Sequence, residues 1–197
     1  MRARVLAPIL AGAFVLAAAP ARAGHPQERK GFWIGFGLGF GSADATCSNC
    51  AQTARDGSYT FSLKLGGTLN KRVLLGAEFN AWASERENTD VTVSIGNVSG
   101  TVTFYPWAAS GFFVKAGGGL SYLDQDFQEG TVQVTVSKTG WGLLTGLGYD
   151  WRLGRNISVT PYFNFYYGQP GDIEFGGANL VNWTQNVLDF GVGITIH

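Results

Sequence analysis

The amino-acid sequence predicts an all-β fold, an eight-stranded, antiparallel, up-and-down transmembrane β-barrel that is preceded by a cleavable signal peptide. Three observations lead to this prediction. Eight stretches of about ten residues alternate large apolar side chains with glycine or polar residues, and turn-forming sequence separates them. Charged residues make up 14% of the chain, which is too few to cover a soluble domain of 197 residues. Beyond the amino terminus, no run approaches the roughly 18 consecutive apolar residues of a membrane helix.

The amino terminus predicts export. Arg2 and Arg4 precede the apolar run Val5–Ala19, and small residues follow it at the spacing of a signal-peptidase site. The chain therefore divides into a signal peptide (residues 1–23), a short periplasmic lead (24–30) and a barrel domain (31–197). Removal of the signal peptide leaves 14 acidic and eleven basic residues, and this net charge of −3 gives no indication of nucleic-acid binding.

The first three predicted strands show the alternation most clearly. In Gly31–Phe40, every even position is Phe, Ile or Leu, and every odd position except Trp33 is glycine. Tyr59–Thr68 alternates aromatic and aliphatic residues with threonine, serine, lysine and glycine. After a polar turn centred on Lys71, Val73–Ser84 resumes the same parity, so the second and third strands are predicted to form a hairpin.

The next three predicted strands are less regular but keep the period of two. Val98–Tyr105 alternates valine and phenylalanine with threonine, and Pro106 ends it. Gly111–Tyr122 and Gly140–Trp151 each set large apolar residues against a glycine-rich face. All three segments therefore present one apolar face and one face of glycine or polar residues.

The last two predicted strands complete the even number. Ile157–Gly168 alternates aliphatic and aromatic residues with polar residues and tyrosine, and Pro161 within it predicts a β-bulge near the periplasmic rim because proline lacks an N–H donor. Leu188–Ile196 ends the chain with alternating apolar residues. Eight strands place both termini on the same side of the membrane.

The connections alternate between short turns, near Asn70, Ala108 and Gly154, and longer polar loops. The predicted long loops lie around Cys47, Asn88, Gln128 and Gly176. Bacterial outer-membrane barrels have short periplasmic turns and long extracellular loops, so both termini are predicted to be periplasmic. The four long loops then contain ten acidic residues against three basic ones and form an acidic crown.

Charge density indicates which face meets lipid. A soluble barrel would need many charges on its outer face, yet the polar face of the eight spans carries only five. These inward charges are Lys64, Glu78, Lys115, Asp150 and Asp189. The apolar face is therefore predicted to face lipid, and the polar face a narrow lumen.

The lumen charges predict a neutral four-charge cluster near mid-barrel. Lys64 and Glu78 are each seven residues from the turn centre at Lys71, so they are expected to form a cross-strand ion pair. Lys115 and Asp189 lie at comparable predicted depth. Two interpretations remain open, a lumen packed shut by its own side chains and a switchable gate for ions or small solutes.

The cysteines and histidines give little indication of catalysis. Cys47 and Cys50 are predicted to form a local disulfide in an oxidising compartment, with half a metal site or a redox pair as the alternatives. His25 and His197 both fall at the predicted periplasmic ends, and neither a nucleophile elbow nor a phosphate loop occurs. The sequence predicts no enzyme activity, no metal and no cofactor.

Four segments resemble the outer-membrane protein β-barrel domain superfamily, and the chain is similar in size and layout to OmpX-like and OmpA-like transmembrane barrels. The segments are Gly31–Phe40, Gly100–Tyr122, Gly142–Tyr162 and Asp189–His197. Within the last one, Gly191, Gly193, Ile194 and Ile196 resemble the carboxy-terminal signal that the barrel-assembly machinery reads. His197 departs from that signal, because many relatives end in Phe or Trp.

The resemblance implies location more than activity. We expect a monomeric, non-enzymatic barrel in the cell outer membrane, with membrane lipid and the barrel-assembly machinery as partners and an unknown extracellular ligand. Its acidic loops would serve surface interaction or envelope integrity. The alternative is a narrow channel or a lateral-opening conduit for small or apolar solutes.

Overall fold

The computed structural model describes residues 27–49, 55–86, 91–129, 132–175 and 178–197. The predicted signal peptide, residues 1–23, lies outside the described residues. Within them, no helix is both long and apolar enough to cross a membrane.

Antiparallel strands account for most of the described chain. They are β1 (Phe32–Thr46), β2 (Asp56–Asn70), β3 (Val73–Arg86), β4 (Val91–Phe104), β5 (Phe112–Glu129), β6 (Val132–Tyr149), β7 (Trp151–Arg152), β8 (Ile157–Phe175) and β9 (Ala178–Ile196). The two-residue β7 continues β6, because both pair with β8. Every other strand pairs with its neighbours in sequence, and β1 pairs with β9. The sheet is therefore closed, and the predicted eight-stranded antiparallel barrel is confirmed.

Following the paired residues once around the barrel gives its stagger. The row that starts at Gly35 passes through Lys64, Glu78, Ser99, Gly119, Gly142, Gly168 and Gln185 and returns to β1 at Ala45, ten residues further on. Eight strands with this stagger tilt by roughly 40–45° from the barrel axis. Residues in one hydrogen-bonded row thus lie at different heights in the lumen.

The strands extend well beyond the predicted spans at one end of the barrel. We call this the loop end, where β1–β2, β3–β4, β5–β6 and β8–β9 connect, and the opposite end the turn end. The eight long strands contain 14 to 19 residues, whereas about 9 to 11 suffice to cross a bilayer. The segments around Gln128 and the residues flanking Gly176, predicted as loops, continue as paired strands. Asn88 lies outside the described residues.

The orientation of the two faces is confirmed. On β1, Phe32, Phe36, Leu38 and Phe40 are exposed on the outer surface, whereas Trp33 and Ala43 are buried inside. The same division holds around the barrel, where outward leucines, valines and phenylalanines are exposed and inward threonines and asparagines are buried. An outer wall of this composition suits acyl chains rather than water.

Inward glycines make room for inward aromatic rings. A Cβ placed on Gly148 would lie 2.5 Å from Cζ of Phe113, and one on Gly76 would lie 2.7 Å from Cζ2 of Trp33. Both distances are too short for a real side chain. The glycine-rich face is therefore the complement of large residues that fill the lumen.

The predicted bulge at Pro161 is wrong. Pro161 pairs with Val192 in an unbroken register from Ile157 to Gly168. On the opposite edge of β8, the hydrogen-bonded pairing is interrupted between β6 and β7. The register is the same on both sides of the interruption, because Gly148 pairs with Tyr162 and Trp151 with Val159. The missing N–H therefore interrupts the ladder without inserting a residue. The register shifts of β8 lie instead after Gly168.

Candidate functional site

The lumen contains two apolar layers with a polar layer between them. The turn-end layer consists of Trp33, Leu74, Tyr105 and Phe113. The loop-end layer consists of Ala43, Trp82, Ile95, Leu123, Leu144, Tyr166 and Val187. Each of these eleven side chains is at most 4% exposed. A path through the lumen would have to cross both layers.

A buried ion pair lies in the polar layer. Lys115 Nζ donates a hydrogen bond to Glu78 Oε1 at 2.5 Å, and the two side chains are 4% and 2% exposed. Lys115 comes from β5 and Glu78 from β3, so the pair spans the inner face of β4. Because both side chains are buried, loss of either charge would leave the other buried without a counter-charge.

Lys64 occupies the predicted position but not the predicted ion pair. The register places it directly opposite Glu78 on neighbouring strands. Glu78 nevertheless pairs with Lys115, and no carboxylate oxygen of the described residues lies within 4.0 Å of Lys64 Nζ. Lys64 Nζ instead lies 5.4 Å from the centroid of the Phe113 ring, within the range of a cation–π contact.

Asp189 stands apart from both lysines. Thr60 Oγ1 donates to Asp189 Oδ1 at 2.5 Å, and Asn164 Nδ2 donates to Asp189 Oδ2 at 3.1 Å. These donors are neutral. Of the four predicted cluster members, the structure brings Glu78 and Lys115 into contact, leaves Lys64 nearby and places Asp189 in a separate hydrogen-bond group.

A second polar network closes the turn end and centres on Asp150. Tyr105 Oη donates to Asp150 Oδ2 at 2.6 Å, and Thr160 Oγ1 donates to Oδ1 at 2.8 Å. His197 Nε2 lies 3.7 Å from Oδ2, which is an ion-pair distance rather than a hydrogen bond. Burial lowers the pKa of the His197 imidazole, and the Asp150 carboxylate opposes that effect.

The chain before β1 covers the turn end. The Arg29 guanidinium is 3.5 Å from the centroid of the Tyr105 ring and donates to the carbonyl oxygens of Ala108 and Ser110 at 3.2 and 2.7 Å. Gln27 Nε2 donates to the carbonyl oxygen of Asp150 at 3.1 Å. Arg29 is only 2% exposed. The segment predicted as a short periplasmic lead is thus, over its described residues, packed against the barrel.

Sequence reasoning missed the buried arginines of this network. Arg29 precedes the first strand in a segment with no periodicity, so nothing in the sequence marks it as buried. Arg152 lies in β7, is 4% exposed and donates to the carbonyl oxygen of Glu28. The alternation in the sequence already placed Asp150 on the inner face. Its partners could not be predicted, because they depend on how the chain termini pack against the turns.

The predicted assembly signal lies on β9, next to the closing strand β1. Gly191 and Gly193 face inward, and Ile194 and Ile196 are 40% and 39% exposed on the outer face. Cys47 follows β1, but Cys50 lies outside the described residues, so the disulfide stays a prediction. Within the described ranges, no group of three or more His, Cys, Asp or Glu residues could hold a metal ion.

Charged residues at the loop end form their own contacts. Arg55 Nη1 lies 3.6 Å from Asp44 Oδ2, and Arg55 Nη2 donates to the carbonyl oxygen of Ser42 at 2.7 Å. Ser84 Oγ donates to Asp56 Oδ2 at 3.0 Å. Glu87 and Asp90, two members of the predicted acidic crown, lie outside the described residues. The Arg55 contacts fix the start of β2 against β1 at the rim.

Comparison with known proteins gives a family and a set of similar folds. The family model for the outer membrane protein beta-barrel domain matches residues 9–195. The structure resembles that of Neisserial surface protein A (NspA), with 15% sequence identity and a TM-score of 0.56, covering 86% of this chain and 98% of NspA. It also resembles Ail, the attachment invasion locus protein of Yersinia pestis, with 11% identity and a TM-score of 0.57, covering 85% of this chain and 99% of Ail. No curated protein sequence matches the chain.

Proposed function

This chain belongs to the outer membrane protein beta-barrel domain family. From that premise we propose that it is a non-enzymatic integral outer-membrane β-barrel that displays acidic extracellular loops. The loops would serve surface interaction or envelope integrity. The barrel would supply a rigid support, and the loops would supply the contacts.

The packing of the lumen carries this proposal. Leu144 and Val187 in the loop-end layer are 0% exposed, and Phe113 in the turn-end layer is 1% exposed. Side chains this closely packed oppose a continuous water-filled path. With the lumen filled, the loop end is the surface available to extracellular partners.

The membrane orientation follows the family architecture. Arg29 and His197 both lie at the turn end, which in outer-membrane barrels of this design faces the periplasm. We infer that the four long hairpins face outward, and that the barrel is a monomer whose β9 is read by the barrel-assembly machinery. Protease treatment of intact cells should then cut around Asn88 or Gly176 and spare the turn at Lys71.

The charge of the loops indicates the chemistry of a partner. The structure of Ail has also been determined with sucrose octasulfate, a heparin analogue, which is a polyanion. The loop regions of this chain contain ten acidic and three basic residues, which would repel such a ligand. We infer that the loops select cationic groups. Capture of partners by the folded barrel in detergent should weaken when these acids are replaced by their amides, and a version with four trimmed loops should capture none.

Bilayer conductance separates display from transport. The mature barrel reconstituted in planar bilayers should give no conductance steps, and liposomes that contain it should not swell in small sugars or amino acids. Reproducible solute-dependent swelling would favour a channel or lateral conduit. Glu78→Ala is the informative variant, because a gate held by the Lys115–Glu78 pair should open in it.

The position of histidine supports a non-enzymatic role. His197 is the one histidine among the described residues, and it lies at the turn end, away from the loops. No described histidine therefore adjoins the loop-end acids, as a hydrolytic triad or dyad that uses histidine at the outer rim would require. Incubation of the folded barrel with peptide, phospholipid and ester substrates should give no turnover.

A further inference from the structure

A small cavity lies in the lumen where the turn-end layer meets the ion pair. Its volume is about 10 Å³, roughly the space that one water-sized particle needs. The turn-end layer forms its apolar walls. Its polar lining comes from Lys64, Lys115, Thr103 and Thr195.

Two of the lining residues are hydrogen-bond donors without acceptors. Lys64 Nζ has no carboxylate partner among the described residues. The Trp33 indole N–H is buried, and it has no hydrogen-bond partner in the described part of the chain. Ammonium and indole groups can only donate, so whatever satisfies both must be an acceptor. Trp33 is 3% exposed, which leaves it little access to bulk water.

Each neighbouring carboxylate accepts hydrogen bonds from donors other than Lys64. Glu78 accepts from Lys115, and Asp189 accepts from two neutral donors. Both oxygens of Asp150 accept hydroxyl donors, Oδ1 from Thr160 and Oδ2 from Tyr105. Lys64 therefore lies next to the cavity with no protein counter-charge in contact.

The buried charges of the lumen and turn end do not pair one to one. Among residues with described burial, the buried or half-buried side chains there comprise four cations and three carboxylates, and the half-buried His197 adds an imidazole and the terminal carboxylate. The cations are Arg29, Lys64, Lys115 and Arg152, and the carboxylates are those of Glu78, Asp150 and Asp189. A charge removed from water is costly without a counter-charge.

We propose that this cavity binds one small inorganic anion, a halide such as chloride, as the counter-ion of Lys64. Lys64 Nζ and the Trp33 N–H donate to it, with Lys115 and Thr103 completing its surroundings. A cavity with room for about one water-sized particle favours a monatomic anion over sulfate or phosphate. The site lies inside the lumen, and the proposal does not depend on the loops.

Bromide provides a direct probe, because it replaces chloride and scatters anomalously. Crystals of the mature barrel grown in sodium bromide should show one anomalous peak in the cavity, within hydrogen-bond distance of Lys64 Nζ. Lys64→Met keeps the side-chain length and removes the charge, so the peak should disappear. Lys71→Met, at the exposed turn between β2 and β3, is the matched control and should keep the peak.

A second variant covers the case in which Lys64→Met fails to fold. Trp33→Phe keeps an aromatic ring in the turn-end layer and removes only the N–H donor, so bromide occupancy should fall severalfold. The urea midpoint of the wild-type barrel in detergent should also rise when sodium gluconate is replaced by sodium bromide at equal ionic strength, and Trp33→Phe should reduce that rise.

Three results would overturn the proposal. Density for water without anomalous signal would show that a neutral molecule satisfies Lys64. A bromide peak unchanged in Lys64→Met would show that the lysine does not hold the anion. Equal urea midpoints in bromide and gluconate would show that no anion stabilises the fold.

Discussion

Lys115 Nζ on β5 lies 2.5 Å from Glu78 Oε1 on β3, and β4 separates the two strands. The two side chains therefore meet across the concave inner face of the sheet and not along a hydrogen-bonded row. The row of Glu78 reaches β5 at Gly119, four residues from Lys115. The length of the lysine side chain and the curvature of the barrel together make the contact.

Loss of either partner of this ion pair should destabilise the barrel strongly. Glu78→Gln leaves the Lys115 ammonium buried without a counter-charge, and the expected cost is about 3–5 kcal/mol. Urea unfolding of the refolded barrel in detergent measures it. Lys115→Met should cost a similar amount.

The double variant provides the control for that prediction. Glu78→Gln with Lys115→Met removes both charges, so its cost should be smaller than the sum of the two single costs. Additive single effects would show that the two groups do not interact energetically.

The inward glycines should tolerate no side chain where a ring occupies the space. In Gly148→Ala, the new Cβ would lie 2.5 Å from Phe113 Cζ and 2.8 Å from the carbonyl oxygen of Pro161. Such overpacking should destabilise the barrel by about 1–3 kcal/mol, measured by urea unfolding.

Gly67→Ala is the matched control for Gly148→Ala. Gly67 also lies in a strand, and a Cβ there would meet nothing within 4 Å. Its replacement should be neutral or stabilise the barrel by up to about 1 kcal/mol. Equal destabilisation by both replacements would contradict the role assigned to Phe113.

Arg29 should fix the chain before β1 against the turn end. Arg29→Met removes the hydrogen bonds to Ala108 and Ser110 and the contact with the Tyr105 ring. Amide hydrogen exchange of Thr68, whose N–H donates to the carbonyl oxygen of Gly31, and of Ser110 should become at least about tenfold faster, because the Arg29 contacts oppose local opening of both segments. Lys30→Met, at the exposed neighbouring position, should leave exchange unchanged. Unaltered protection in Arg29→Met would mean that other contacts hold the segment.

The predicted disulfide between Cys47 and Cys50 has a simple chemical test. The unfolded mature protein should take up no iodoacetamide without reductant and two equivalents after reduction, as mass spectrometry would show. Cys47→Ser should take up one equivalent without reductant, because Cys50 then has no partner. Two alkylations of the unreduced wild type would exclude the disulfide.

The period of two in the sequence was sufficient to predict the strands and their faces. Phe36 and Leu38 point outward and Trp33 points inward as the alternation requires, because successive side chains of a strand lie on opposite faces. Strand ends were less predictable. The hairpins around Gln128 and beside Gly176 continue as paired strands, since pairing with a neighbour overrides a locally polar sequence.

The sequence by itself determined which side chains face the lumen, and only the tertiary structure decided which of them touch. Counting from the turn at Lys71 correctly aligned Lys64 with Glu78, because a hairpin register is local. The partner of Glu78 depends on closure of the barrel and its ten-residue stagger, which set the relative heights of strands that are not neighbours. Burial of Arg29 likewise depends on where the closed barrel brings the chain before β1, a long-range outcome that no local pattern records.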